Sequence, residues 1–219
     1  MSRRAAALAA AVAFAAALPL ALPASGQEEK PSGTTYHFGT SPSRTTILFD
    51  SETSLETIHG ITRTMSGSAI LDAEKGSGSV EFKVPVKKME TGVPLRDDHM
   101  RGEDWLHEAK YPEIAFKAAL KRSKVDEASK KETWGYEGEI TIKGVTKALK
   151  GDATVQRIPD DLGKKLGEGS WIKVKTEFQI TIKEFGIEVP EIAAAKVSPT
   201  WDVKIDIFGT TVLPPAKKE

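Results

Sequence analysis

In the stretch "GSVEFKVPVKK", residues 78–88, Val80, Phe82, Val84 and Val86 take every second position, and Glu81, Lys83, Pro85 and Lys87 take the positions between. Successive side chains of a strand point to opposite faces, so this spacing builds a hydrocarbon row backed by a charged one. It predicts a half-buried strand. Pro85 has no N–H for a ladder, which predicts a sheet edge or a bulge at that point.

The same alternation recurs on both sides of this stretch. Ile114, Phe116, Ala118 and Leu120 form one row; Trp134, Tyr136, Gly138, Ile140 and Ile142 form the next. Leu149, Gly151, Ala153 and Val155 follow, then Ile172, Val174, Thr176, Phe178, Ile180 and Ile182, and finally Trp201, Val203, Ile205 and Ile207. Upstream, Ile47 and Phe49 mark another strand, and residues 59–74 a long one whose glycines predict bending. These make eight strands, or nine if residues 34–39 also pair. Residues 74–78 and the Lys143-Gly144 pair carry hairpin turn chemistry, and the glycine-punctuated segment 159–169 reads as a polar loop. An antiparallel sheet of this size hides its edges completely only by closing, so the fold class is all-β, an antiparallel barrel of about eight strands.

Arg3 and Arg4 precede an Ala/Leu/Val run ending at Leu22, and Ala24-Ser25-Gly26 supplies small residues before Gln27. That order is the grammar of a secretory signal peptide over residues 1–26, with an uncleaved anchor as the competing reading. Export to the periplasm is the expectation, with residues 27–219 forming one domain. No cysteine is present, which excludes a disulfide scaffold and thiolate chemistry. Roughly 190 residues suffice for one core. Lys and Arg number 31, as do Asp and Glu; losing two leader arginines tips the balance slightly acidic. No general attraction to nucleic acid or anionic membranes follows, and no second apolar run predicts an integral membrane segment.

One region interrupts the strands. Residues 95–110, "LRDDHMRGEDWLHEAK", combine dense charge with His99 and His107, and their apolar members predict a short helical insert near residues 95–109. A continuous helix would align His99, Glu103 and His107 at four-residue steps, a spacing that suits metal ligands; the plainer reading is a solvated face, and no metal is assigned. Motifs for a nucleophile elbow, a phosphate loop or a zinc protease are missing, so no catalytic residue is assigned and no enzyme is expected. Arg96 and Arg101 read as ion-pair partners of Asp97, Glu103 or Asp104. Arg96, Asp97 and His99 are also candidates for holding a ligand head group at a barrel mouth.

Inward rows of this kind are core in most proteins, yet a barrel of about eight strands either fills its lumen or houses one small ligand. Ala118, Gly138, Gly151 and Ala153 either open volume or relieve crowding. The candidate apolar lining is Phe49, Phe82, Val84, Ile114, Phe116, Trp134, Tyr136, Ile140, Phe178, Ile180, Trp201 and Val203.

Several ordered motifs carry a family resemblance. Residues 95–101 (LRDDHMR) are followed by Asp104-Trp105-Leu106, Lys110-Tyr111-Pro112 and Ile114-Ala115-Phe116; His59-Gly60 and Met65-Ser66-Gly67 lie upstream, and residues 138–147 (GEITIKGVTK) and Phe185-Gly186-Ile187 downstream. Together they resemble the YceI-like family of exported, polyisoprenoid-binding proteins. Trp105, Ala148 and Lys183-Glu184-Phe185 depart from that family's usual residues. The resemblance implies a lipocalin-like barrel whose apolar interior holds an isoprenoid-type amphiphile, a quinone or polyprenyl lipid, with no cofactor. The expected partner is therefore an isoprenoid or other long-chain lipid, with a homodimer as a further candidate. Two other readings stay open: a lipid-modifying enzyme using the Asp97–His107 cluster, and a stress-related interaction protein with a filled core.

Overall fold

The structure, a computed structural model, describes residues 32–213; the leader and its cleavage site lie outside them. Ten strands run β1 Thr34–Phe38, β2 Thr45–Glu52, β3 Thr57–Thr62, β4 Ser66–Asp72, β5 Ser77–Pro85, β6 Glu113–Asp126, β7 Lys131–Ile142, β8 Val145–Arg157, β9 Trp171–Thr181 and β10 Thr200–Thr210. Helix α1 spans Pro94–Arg101 and α2 spans Asp160–Leu166. All pairings are antiparallel, in the order β1-β4-β5-β6-β7-β8-β9-β10, and β10 returns to β1 through Phe38↔Gly209 and His37↔Thr210. This is a closed eight-stranded barrel.

Two walls are kinked rather than single strands. Gly39 (φ 75°) ends β1, and β2 then continues along β10 from Ile207↔Thr45 to Asp202↔Asp50. The long strand expected over residues 59–74 breaks in the same way into β3, paired with β2, and β4, paired with β1. A side chain at position 39 would run into the Met65 carbonyl, so the kinks interlock.

Turn chemistry follows the sequence. The β7–β8 hairpin turns on Lys143 and Gly144, both left-handed (φ 50° and 75°), as a two-residue primed turn requires. At the β4–β5 turn, Asp72 Oδ1 accepts the Glu74 and Lys75 amides. The Lys75 amide bond, then the Ser32 hydroxyl, holds the Asp72 carboxyl below the ordinary carboxylate range. Pro85 lies two residues past Lys83, the last β5 residue facing β4. On that side β5 is a local sheet edge, as expected, so Pro85 removes no ladder donor while it still faces Glu113 of β6. Residues 159–169 are not a plain loop: Pro159 precedes the α2 helix, whose first turn carries Asp160 and Asp161 and whose last carries Lys164 and Lys165, each matched to the helix dipole.

The inward rows are hydrocarbon over most of their length and turn polar together at one end. Arg122, Glu132, Tyr36 and Arg157 share the inward parity of their strands. Glu132, 8% exposed, accepts Trp134 Nε1 at 2.8 Å and Arg157 Nε at 3.1 Å. Arg157 Nη1 in turn donates to the Tyr36 hydroxyl at 3.1 Å, and Arg122 lies over the Trp134 ring. Trp134 is fully buried. The network stops that end of the bore with a tryptophan held by a carboxylate.

Replacing Glu132 by Ala strands the indole N–H and uncouples Arg157. The expected cost is about 1.5–3 kcal/mol, the range for hydrogen bonds to a charged group. It is to be read as a lower urea midpoint with an unchanged slope.

Candidate functional site

Inside the barrel lie two apolar cavities of about 70 Å³ each. The one beside the Trp134 stopper is walled by Phe116, Trp134 and Tyr136, among others. The other is walled by Phe49, Val84, Ile114, Ile140, Ile180, Trp201 and Val203. Phe82, Phe178 and Ile205 face both and form the partition. All twelve residues of the candidate apolar lining thus stand on cavity walls. Of the small residues of the rows, Gly138 and Gly151 relieve crowding, while Ala153 lines the cavity beside the stopper. A Cβ on Gly138 would collide with Ala118, and one on Gly151 would come within 2.5 Å of the Tyr136 hydroxyl.

A third and larger space, about 630 Å³, opens at the end opposite the stopper. Its walls come from β2, β3, α1 with the turns after it, and residues 190–197. Phe49 and Trp201 line both this cleft and the neighbouring cavity. Their rings stack 5.7 Å apart at 23°, which makes them a door between outside and bore. From cleft to stopper the order is therefore cleft, Phe49–Trp201 door, first cavity, Phe82–Phe178 partition, second cavity.

The charged segment chiefly clamps α1 in place. Asp97, 8% exposed, accepts both the amide and the hydroxyl of Thr91 at 2.6 Å. Arg96 donates to Thr91 Oγ1 and pairs with Glu56 at 2.9 Å; Arg101 donates to the Met89 carbonyl at 2.6 Å. The expected partners Asp97, Glu103 and Asp104 are not the ones these arginines use, because α1 turns both guanidinium groups back toward residues 56 and 89–91. Arg96 and His99 do line the cleft, whereas Asp97 is committed to Thr91 and is not among its walls. The helical insert is shorter than expected: α1 ends at Arg101, and Gly102 leads into turns with His107 left-handed (φ 52°). His99, Glu103 and His107 therefore do not share a helical face. Among the described residues no cluster has the makings of a metal site.

The YceI-like domain signature matches residues 38–208, from the last residue of β1 to near the end of β10. The chain belongs to the YceI-like domain family. A UPF0312 protein of Pseudomonas savastanoi pv. phaseolicola is 28% identical over 159 residues, covering 69% of this chain and 73% of the relative. Protein YceI of Escherichia coli O157:H7 is 26% identical over 134 residues, covering 60% and 64%. Among solved structures, a polyisoprenoid binding domain from Saccharophagus degradans superposes with a TM-score of 0.60 at 16% identity, covering 82% of this chain and 99% of that one. Burkholderia cenocepacia BcnA gives 0.59 at 19% identity, covering 78% and 99%.

Three parts of this YceI-like site were not read from sequence. The stopper was signalled by parity, since Glu132 falls on the inward row of β7, but an acid on such a row reads as a strand end. The third cleft wall, residues 190–197, has no strand or helix periodicity. The partner of the Tyr136 hydroxyl was invisible for a different reason: Thr176, 3.5 Å away, comes from β9, two strands across.

Burial, opposed by that Thr176 contact, pushes the Tyr136 phenol above the ordinary tyrosine value. A raised folded-state value adds stability below the unfolded value of about 10 and loses it as pH rises through the folded one. Unfolding midpoints should therefore fall more steeply above pH 10 in the parent than in Tyr136→Phe, as followed by urea titration at stepped pH.

Proposed function

We propose that this YceI-like protein binds and carries a long-chain isoprenoid amphiphile with an uncharged head, of the quinone or polyprenol kind, and does so in the periplasm. The observation that carries the reading is the line of two apolar cavities from the Phe49–Trp201 door to Trp134, divided only by the Phe82–Phe178 partition and in line with a wide cleft. The polyisoprenoid binding domain named among its structural neighbours supports it by analogy of fold, and the export grammar of residues 1–26 supports the compartment.

The energetics favour a tail over an empty bore. Each 70 Å³ cavity is well below the roughly 300–1,000 Å³ of a typical ligand site, so a long tail is seated only with the Phe82 and Phe178 rings displaced, and with Phe49 and Trp201 displaced where it reaches the cleft. Moving one ring off its preferred rotamer costs about 0.5–1.5 kcal/mol. A buried methylene returns about 0.8 kcal/mol, so the first few isoprene units offset the opening.

Charge at the cleft decides the head. Glu56, Asp98, Glu103 and Asp104 line it against Arg96 and Lys196, and Arg96 is already paired with Glu56. That excess of carboxylate disfavours a phosphate head and leaves His99 as a donor or acceptor for a neutral one. Binding rather than turnover is the reading, because Asp97 and the two arginines of the charged segment spend their polar groups on holding α1.

Delipidated protein should take up a long-tailed quinone in native mass spectrometry, with quenching of Trp201 and Trp134 fluorescence. A polyprenyl phosphate of equal tail length should bind at least tenfold more weakly. If neither lipid is retained, the reading is wrong.

A further inference from the structure

The barrel wall is not uniformly laddered. β7 pairs with β8 from Lys131↔Gln156 to Ile142↔Val145, and β9 pairs with β10 along its whole length. Between β8 and β9, however, pairing runs only from Arg157↔Ile172 to Ala153↔Thr176. Residues 145–152 of β8 and 177–181 of β9 therefore face one another without a ladder. Thr176 marks the point of separation, its hydroxyl donating to the Asp152 carbonyl at 2.9 Å.

Phe178, Ile180 and Leu149 point inward along the split and are half-buried, as are Val80, Phe82, Ile114 and Leu120 on the laddered β5 and β6, while Ile140 and Ile142 on β7 and Val203 and Ile205 on β10 are buried at 5–8% exposure. Position 151, on the β8 margin, carries no side chain. The opening is framed on all sides: by the Ala153–Thr176 ladder at its foot, and at its head by the turn Ile182–Phe185 against β8, where Lys143 Nζ reaches the Gly186 carbonyl at 3.3 Å. The other unladdered stretch of wall, between β3 and β5, is filled by Met89, Met100 and Leu106, all buried. In the β8–β9 split, buried Ile182 and Phe185 fill only the upper part, against β8, and the lower part is bordered by the half-buried Leu149 and Phe178.

We infer that this window between β8 and β9 is a lateral portal through which the hydrocarbon tail passes into the bore. Unpaired backbone N–H and C=O groups need water or a partner, so the margins are wet when the window is empty. Phe178, which is both window jamb and partition, couples passage of a tail to joining of the two cavities. The end-on route would instead require a tail to part the stacked Phe49 and Trp201 rings. The inference rests on the proposed lipid binding.

The cysteine-free chain permits a clean test. Lys150 and Gln179 project outward on the two margins, so the K150C/Q179C pair bridged by a bismaleimide spans the window; L95C/I192C bridged in the same way spans the cleft. Quinone association is followed by tryptophan quenching in stopped flow. The window bridge should slow association at least tenfold and leave the final extent of quenching unchanged, while the cleft bridge should change the rate less than twofold. Equal slowing by both bridges, slowing by the cleft bridge alone, or loading of the window-bridged protein at the unbridged rate overturns the portal. A lower final extent in the window-bridged protein also counts against it. Absence of quenching in every form, the parent included, removes lipid binding itself.

Discussion

A single sheet can wrap a cavity only if its first and last strands meet, and in this barrel they do so over the short overlap of β1 with the end of β10. Gly209 sits there opposite Phe38, whose ring occupies the space that a Cβ would need. Once that contact is made, every inward row shares one interior and the strand edges are paired except along β3, the end of β5 and the β8–β9 split. The kinks at Gly39 and residues 63–65 follow from the same demand, because β2 and β3 extend the wall past the point of closure while β1 and β4 complete it.

The interior that results is graded. At one end, carboxylate, indole, guanidinium and phenol groups bind one another and tie four strands together, with Arg157 Nη2 left buried and without a partner among the described residues. Above them the inward rows are hydrocarbon except for the hydroxyls of Tyr136, Thr176 and Thr62, and the aromatic rings are placed where they divide space rather than merely fill it. Dispersion and burial favour closed rings in an empty bore, and the same terms favour a tail in their place.

Much of this was legible because a strand writes its burial into sequence parity. Rows at 80–84, 114–120 and 134–142 fixed which side chains share the lumen, and no tertiary information was needed. What stayed hidden depends on pairing across the chain. The partners of Arg96 and Arg101 are set by where α1 docks, which no local spacing encodes. The α2 helix escaped because Gly163 and Gly167 outweighed its dipole-matched charges on a loop reading. The split of β8 from β9 leaves both strands perfectly alternating, so periodicity reports them as ordinary neighbours.

The stopper built on Glu132 makes the bore blind, and a blind bore measures what it holds. β10, which flanks it, has 11 residues, about 36 Å of rise along the strand and less along the axis once strand tilt is counted. On the proposed reading, prenyl chains up to that depth would seat fully, and longer homologues would double back or leave their surplus units outside. For a lipid bound as proposed, Trp134 would be the zero mark of a molecular ruler, and selection among homologous lipids would become a matter of counting carbons.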